Sequence, residues 1–167
     1  MPLLHLLRHA KAVRVAATDR DRALAPRGHA DAGELAGALA ELGIRPGLVL
    51  CSTARRTLET WQHLAGFLEP APVVDLRDEL YLADRPTLLG TLRAVGPEVA
   101  EAMLIGHNDG LWEFAHSLVG AGDPVLRRAL DVGLPTLGLV SLQVDGGWNE
   151  LGAGRCHLLR YRLPPRP

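Results

Sequence analysis

The sequence is short of aromatic residues, of net charge and of cysteine. Aromatic side chains make up 4% of its 167 residues, which leaves few of them to stack on nucleic-acid bases. The formal net charge of −1 provides no overall field that would attract a nucleic acid or an anionic membrane. The two cysteines, Cys51 and Cys156, do not make a disulfide framework, so we expect a reducing, cytoplasmic location.

Long hydrophobic runs are absent as well. The N-terminal residues lack a basic region followed by a long apolar core, so no signal peptide is predicted. No apolar run approaches the ~18 residues of a membrane-spanning helix, and we expect no membrane partner. The apolar fraction of 47% is typical of a chain with a sizeable core. We assign residues 1–163 to a single domain and residues 164–167 to a frayed tail.

Short apolar runs alternate along the chain with segments of helical spacing. The predicted strands cover residues 3–7, 48–51, 72–76, 101–106, 137–144 and 157–163. The last of them is expected to be an antiparallel edge strand. The predicted helices cover residues 26–42, 54–68, 86–95 and 110–119, and residues 120–136 are predicted to be a loop with a short helix. This alternation predicts a three-layer α/β/α sandwich, with a mostly parallel central sheet and helices on both faces.

Polar side chains follow three of the predicted parallel strands. Arg8 and His9 follow the first strand, Ser52 and Arg56 follow the second, and His107 follows a later one. Because the carboxyl ends of parallel strands meet at one edge of a sheet, we expect these groups to share one crevice. Guanidinium groups suit phosphate, and a histidine can act as a nucleophile or as a proton carrier. The sequence therefore predicts a phosphate-sized anion site that contains a nucleophile.

Two arginines stand in the first turn of the second predicted helix. Arg55 and Arg56 follow Ser52 and Thr53, either of which is expected to cap that helix. Cations at a helix N-terminus oppose the helix dipole, and a bound anion would explain them. The alternative is that both arginines are simply solvated.

Four segments resemble, in order, the motifs of the histidine phosphatase superfamily, and within it the small phosphohistidine phosphatases of the SixA type. LLRHAKA resembles the Arg-His signature of the family, and DRDRALAPRGHADA (19–32) is similar to the segment before its first helix. VLCSTARRTLET (49–60) resembles the segment with Ser, Arg and Thr at fixed spacing, and LIGHNDGL (104–111) resembles the Gly-His-Asn-Pro box. The resemblance implies the phosphoglycerate-mutase-like fold.

The resemblance also implies a role for each matching residue. His9 corresponds to the nucleophile that becomes a phosphohistidine, and Arg8 corresponds to the phosphate-binding arginine beside it. Arg56 corresponds to a second phosphate-binding arginine. His107 corresponds to the second catalytic histidine, which also contacts the phosphate. Arg55 falls on a variable position, so it is a secondary candidate, as is Ser52.

Three positions near the predicted site depart from the family or have more than one interpretation. Asp109 stands where the family has Pro, so it either places a carboxylate near the pocket or caps the following helix. Glu79 follows the third strand and is either the general acid or a solvated carboxylate. Ala25 replaces Thr, which removes a helix cap worth about 1 kcal/mol.

The motifs imply a phosphatase that works through a phosphohistidine intermediate and needs no metal or other cofactor. The interval between Arg56 and His107 is filled by two predicted helices and a strand, so little chain remains for a lid. An open pocket favours hydrolysis of an exposed phosphoryl group, protein phosphohistidine first. The alternatives are a small-molecule phosphomonoesterase, a mutase of the same fold and a non-catalytic phosphate-binding domain. The remaining histidines are expected at the surface or in packing: His5, His29, His63, His116 and His157.

Overall fold

The computed structural model describes residues 1–165, and Arg166 and Pro167 of the expected tail lie outside the described residues. The strands are β1 (Leu3–Arg8), β2 (Leu48–Ser52), β3 (Val73–Arg77), β4 (Glu101–Gly106), β5 (Val119–Gly122), β6 (Leu139–Val144) and β7 (Cys156–Arg162). The helices of the described residues are α1 (Pro26–Ala38), α2 (Arg55–Ala65), α3 (Arg85–Arg93), α4 (Gly110–Leu118) and α5 (Pro124–Val132).

All of these strands join one sheet in the order β3-β2-β4-β1-β6-β7-β5. The pairs β3–β2, β2–β4, β4–β1 and β7–β5 are parallel, whereas β1–β6 and β6–β7 are antiparallel. The predicted α/β sandwich with a mostly parallel sheet is therefore confirmed. β1 lies where the parallel strands meet the antiparallel ones, so its carboxyl end is flanked by structure on both sides.

Two details of the predicted sheet are wrong. Residues 119–122 form the strand β5, although the sequence Val-Gly-Ala-Gly has a single β-branched residue and no alternation that would predict a strand. Its pairing with β7 comes from tertiary context. As a result β7 is an interior strand, and β5 takes the edge position that the sequence assigned to β7.

The apolar side chains of the strands alternate between two cores, one on each face of the sheet. On β1, Leu4 and Leu6 contribute to the core beneath α3, α4 and α5, while Leu7 contributes to the core beneath α1 and α2. Full burial of such a side chain stabilises the fold by roughly 1.5–3 kcal/mol. β1 is thus fixed from both faces, which holds its carboxyl end at a defined position.

The N-termini of α2 and α1 contradict one prediction and confirm another. Helix α2 begins after Ala54, which makes no side-chain cap hydrogen bond, so the prediction that Ser52 or Thr53 caps it is wrong. The Ser52 hydroxyl group binds His107, as described below, and the Thr53 hydroxyl group donates to Asp78 Oδ1 at 2.5 Å. Helix α1 begins after Ala25, also without a side-chain cap, and has Pro26 in its first turn as predicted. Within residues 1–165, no helix is both long enough and apolar enough to cross a membrane.

Candidate active site

His9 follows β1 directly at the carboxyl edge of the sheet and is buried, with 7% of its surface exposed. Its Nδ1 lies 2.7 Å from the carbonyl oxygen of Ala10. Because a carbonyl can only accept, Nδ1 carries the proton. The Ala10 amide donates to Thr60 Oγ1 at 3.0 Å, which fixes this turn against α2. Nε2 of His9 is therefore unprotonated and carries a lone pair, the form that a nucleophile requires.

Arg56 lies in the first turn of α2 and is almost completely buried. Its Nε donates to His9 Nε2 at 3.3 Å. The two terminal nitrogens donate to Asp19, one to the carbonyl oxygen at 2.8 Å and one to Oδ2 at 3.1 Å. The guanidinium group is thus held in one orientation against the imidazole, and it lines the cavity described below.

His107 follows β4 and stands beside His9, with 5.4 Å between the ring centroids. Its Nε2 lies 2.7 Å from Ser52 Oγ, and the same Oγ accepts from the amide of Ala54 at 3.3 Å. The Ser52 hydroxyl has no other acceptor among the described residues, so it donates its proton to Nε2. This arrangement places the ring proton of His107 on Nδ1.

Three buried side-chain atoms in residues 1–165 have no hydrogen-bond partner, and all three belong to residues that line one cavity. They are Arg8 Nε, His107 Nδ1 and Asn108 Oδ1. Other nitrogens of Arg8 and Asn108 donate to the carbonyl oxygen of Leu134, at 3.1 and 2.7 Å. Unpaired buried donors are unfavourable unless a ligand satisfies them. Arg8 and His107 thus present two free donors suited to an anion.

Burial and neighbouring cations keep both site histidines neutral. Burial is the main cause that lowers the pKa of His9 to about 4, and the charges of Arg56 and Arg8 lower it further. The pKa of His107 falls to about 3, first through burial and then through the proximity of His9 and Arg56. At neutral pH the positive charge of the site therefore resides on the arginines, and the His9 lone pair is available.

The cavity around these groups has a volume of about 390 Å³. It is lined by Arg8, His9, Lys11, Ala12, Arg14, Asp19, Arg22, Arg56, Leu82, His107, Asn108 and Thr136. Five of these side chains are cationic and a single one is a carboxylate. The segments 10–27 and 120–136 both contribute residues to the lining.

Asp19 and Tyr81 belong to this site, although the sequence reasoning assigned a role to neither. Asp19 lies in a short 3-10 turn (Asp19–Asp21) and accepts from Arg56, Arg22 and the Tyr81 hydroxyl. The hydrogen bond from Tyr81 is the largest cause that lowers the pKa of Asp19, followed by the one from Arg22. The Tyr81 ring meets His107 edge-on at 5.4 Å. The DRDR segment was a signal for Asp19, but no pattern pointed to Tyr81.

Two of the sequence candidates lie outside the cavity. Glu79 is about half exposed, and its Oε1 is 3.7 Å from Arg77 Nη1, so the structure does not bring the candidate acid to His9. Arg55 is largely exposed and pairs with Glu59 across one turn of α2, at 3.5 Å. The secondary candidate Ser52, by contrast, is fully buried in the site through its bond to His107.

Asp109 occupies the N-terminal cap position of α4 but makes no side-chain cap hydrogen bond. The interpretation of this residue as a side-chain helix cap is therefore wrong. Its exposed carboxylate lies close enough to Arg8 to raise the pKa of that guanidinium group, against the larger lowering effect of burial. The carboxylate thus stands near the pocket, which was the other interpretation.

The remaining histidines take surface or packing positions, as predicted. His5 is buried between Ser141 Oγ at 2.8 Å and Glu101 Oε1 at 2.7 Å. The others are exposed or lie in exposed pairs: His29 with His63, His116 with Asp131, and His157 alone. In the part of the chain that the structure describes, no three His, Cys, Asp or Glu side chains form a group that could hold a metal ion.

The fold and this cavity define a class of protein: an α/β sandwich with a cationic cavity, lined by two arginines and two histidines, at the carboxyl ends of its strands. A family model, histidine phosphatase superfamily (branch 1), matches residues 4–81. An uncharacterised protein of Mycobacterium leprae is 33% identical over 149 residues, which span 87% of this chain and 89% of that protein. The chain belongs to the histidine phosphatase superfamily.

Solved structures show the same relationship along the whole chain. The candidate phosphohistidine phosphatase SixA of Agrobacterium tumefaciens is 33% identical, with a TM-score of 0.83 over 98% of this chain and 99% of that one. The corresponding protein of Nakamurella multipartitia is 27% identical, with a TM-score of 0.84 over 98% and 96%. The chain is therefore a phosphatase of this fold, as its motifs predict.

Proposed function

We propose that residues 1–163 act as one catalytic domain that hydrolyses phosphoryl groups through a phosphohistidine at His9. The observation that supports this most directly is the pair of bonds at the His9 ring. Nδ1 donates to the Ala10 carbonyl, while Nε2 accepts from Arg56. The ring is neutral, and the lone pair of Nε2 faces the cationic cavity.

The first step transfers the phosphoryl group to the enzyme. Nε2 of His9 forms a bond to phosphorus as the bond from phosphorus to the leaving atom breaks, and the leaving group departs with that electron pair. Arg56, Arg8 Nε and His107 Nδ1 surround the place where the phosphoryl oxygens develop charge. Such preorganised donors are commonly the largest source of rate enhancement.

The second step frees His9. Water attacks the phosphorus atom of the phosphohistidine, the N–P bond breaks, and inorganic phosphate leaves with the oxygen and the protons of that water. Nδ1 of His9 keeps its proton throughout, since it remains bonded to the Ala10 carbonyl. The guanidinium groups supply the positive charge, so no metal ion is needed for this scheme.

Protein phosphohistidine is the substrate that the protonation of the site supports best. The carboxylate in the cavity lining, Asp19, is ionised because its pKa is lowered by Tyr81 and Arg22. It cannot protonate a leaving group at neutral pH. An alkyl phosphate needs such an acid, whereas an imidazole leaving group depends on it much less. A mutase is less well supported, because retention of an intermediate requires a pocket closed to water.

A cytoplasmic location is part of this proposal. Both cysteines are buried free thiols, and burial raises the pKa of each to about 12. Unpaired cysteines suit a reducing compartment.

The test compares a phosphohistidine protein, an aryl phosphate and an alkyl phosphate as substrates of wild type and of His9→Ala, in the presence of a chelator. We expect wild type to favour the phosphohistidine protein and to give an acid-labile label on rapid quenching. His9→Ala should lose both activity and label. Full activity in His9→Ala, or efficient isomerisation of a sugar phosphate with slow hydrolysis, would contradict the proposal.

A further inference from the structure

The charge of the active-site cavity exceeds what a single phosphoryl group requires. Five cationic side chains and one carboxylate line it, in a chain whose formal net charge is −1. Arg8, Arg56 and the two histidines account for the phosphoryl group. Arg22 is already bound, through Nη1 to Asp19 at 2.9 Å and through Nε to the Val13 carbonyl at 2.7 Å.

Lys11 and Arg14 are the two remaining cationic residues of the cavity lining. Both side chains are exposed and line the cavity. Within residues 1–165, neither makes a salt bridge or a side-chain hydrogen bond. The other arginines of the lining are held by carbonyl or carboxylate oxygens. These two are therefore free to bind an anion that enters the cavity.

The backbone that carries these two side chains is held firmly in place. The Lys11 carbonyl accepts from the Ala25 amide at 2.8 Å, and Val13 donates to Ala23 at 2.9 Å. Helix α1 packs so closely here that a Cβ at Gly28 would overlap with the Lys11 carbonyl oxygen. The segment is thus positioned by the first turns of α1, and its cations have a defined place on the cavity wall.

We propose that Lys11 and Arg14 form a second anion subsite beside the phosphoryl pocket. The substrate then carries a carboxylate or a second phosphoryl group close to the phosphoryl group that is removed. This inference rests on the proposed function and adds the substrate class to it. A small acidic phosphate and an acidic side chain beside a phosphohistidine present the same chemistry to the subsite.

Binding of unreactive ligands tests the subsite without catalysis. The matched pair is methylphosphonate and 2-carboxyethylphosphonate, measured by calorimetry at 0.15 M salt, where charges beyond about 8 Å are screened. We expect wild type to bind the carboxylated ligand about tenfold more tightly. In Lys11→Ala/Arg14→Ala this preference should disappear, while the affinity for methylphosphonate changes by less than about threefold.

The control variant is Arg45→Ala/Arg128→Ala, which removes two exposed cations away from the cavity lining. It should retain the preference for the carboxylated ligand. Two results would contradict the proposed subsite. One is that wild type binds both ligands equally well, and the other is that Lys11→Ala/Arg14→Ala loses affinity for both ligands to the same extent.

A second arm separates the two sources of the anion. The kcat/KM values are measured for two phosphohistidine peptides, one with Glu and one with Gln beside the phosphohistidine. A preference for Glu that Lys11→Ala/Arg14→Ala removes identifies a protein substrate. A preference for small carboxylated phosphates alone identifies a metabolite-sized one. Failure of wild type to hydrolyse any phosphate would contradict the proposed phosphatase mechanism, whereas loss of the ligand preference alone contradicts the subsite.

Discussion

The bond from Arg56 Nε to His9 Nε2 joins the proposed phosphate-binding group and the proposed nucleophile in a single contact. A bound phosphoryl oxygen and the His9 lone pair meet the same guanidinium group. Burial is the main cause that lowers the pKa of His9, and the charge of Arg56 lowers it further, so the lone pair of Nε2 stays unprotonated. A planar, fixed fork is required for this, and a flexible ammonium group cannot reproduce it.

Arg56→Lys keeps the positive charge but removes the planar guanidinium group. We expect kcat/KM for phosphate hydrolysis to fall by about 10²–10³, as for the loss of other preorganised donors. Arg55→Lys is the matched control, because Arg55 is the adjacent residue on α2 and pairs with Glu59 outside the cavity. Equal activity of the Arg56→Lys and Arg55→Lys variants would count against a need for the planar guanidinium group of Arg56.

We expect Ser52 to act through His107, to which it is hydrogen-bonded, rather than on the substrate. In Ser52→Ala, the proton of His107 is no longer directed to Nδ1, and we expect kcat to fall by about 10-fold or more with a smaller change in KM. The ¹⁵N chemical shifts of His107 should show a change of tautomer. Ser141→Ala is the control, since it removes an equally buried hydroxyl group beside His5. An unchanged His107 spectrum in Ser52→Ala would rule out this positioning role.

At the scale of single elements, helix α1 supports the cavity wall but begins without a side-chain cap. Its cap residue Ala25 has φ −73° and ψ 162°, the extended conformation in which a serine side chain can accept from the first turn. The same helix packs on the segment that carries Lys11 and Arg14. Stability of its first turn thus matters for the shape of the cavity.

Ala25→Ser should raise the free energy of unfolding by about 0.5–1 kcal/mol, because it supplies the missing acceptor. Chemical denaturation at pH 7 measures the change. Ala38→Ser, at the other end of α1, provides no cap and should be neutral or slightly destabilising. A loss of stability in Ala25→Ser would show that the cap geometry at this position does not accept a side chain.

Elements and site differ in how far the sequence predicts them. The sequence places four site residues together: Arg8, His9, Arg56 and His107. Each stands at the end of an apolar run that predicts a buried strand, or in the helix that directly follows such a run. Asp19 and Tyr81 could not be placed with them, since their contacts depend on the path of two loops. β5 was missed because Val-Gly-Ala-Gly has no strand signal. Glu79 was misplaced because its position after a strand does not fix the direction of its side chain.

At the scale of the whole molecule, the two buried neutral histidines, His9 and His107, make the free energy of unfolding depend on pH. Their pKa values are about 4 and about 3 in the folded chain, against 6.5 for an unperturbed histidine. Between pH 6.5 and 4 the unfolded chain binds more protons than the folded one. The stabilisation is therefore complete above pH 6.5 and is lost as the pH falls toward 4.

The expected slope in that window is roughly 1.4 kcal/mol per pH unit for each histidine. Urea denaturation from pH 7.5 to 4.5 measures it. In His107→Asn one titrating group is gone, so its curve should be flatter than that of wild type. Parallel curves for wild type and His107→Asn would contradict the low pKa of His107.

The position of β1 in the sheet has a consequence for biosynthesis. Its neighbours β4 and β6 are built from residues 101–106 and 139–144, and the backbone of Arg8 and His9 bonds to Gly138 and Leu137 at 3.1 and 3.0 Å. A nascent chain contains His9 before it contains β4 and β6, so His9 cannot reach its place in the site until these strands have left the ribosome. We expect chains released before residue 137 to be inactive and open to proteolysis.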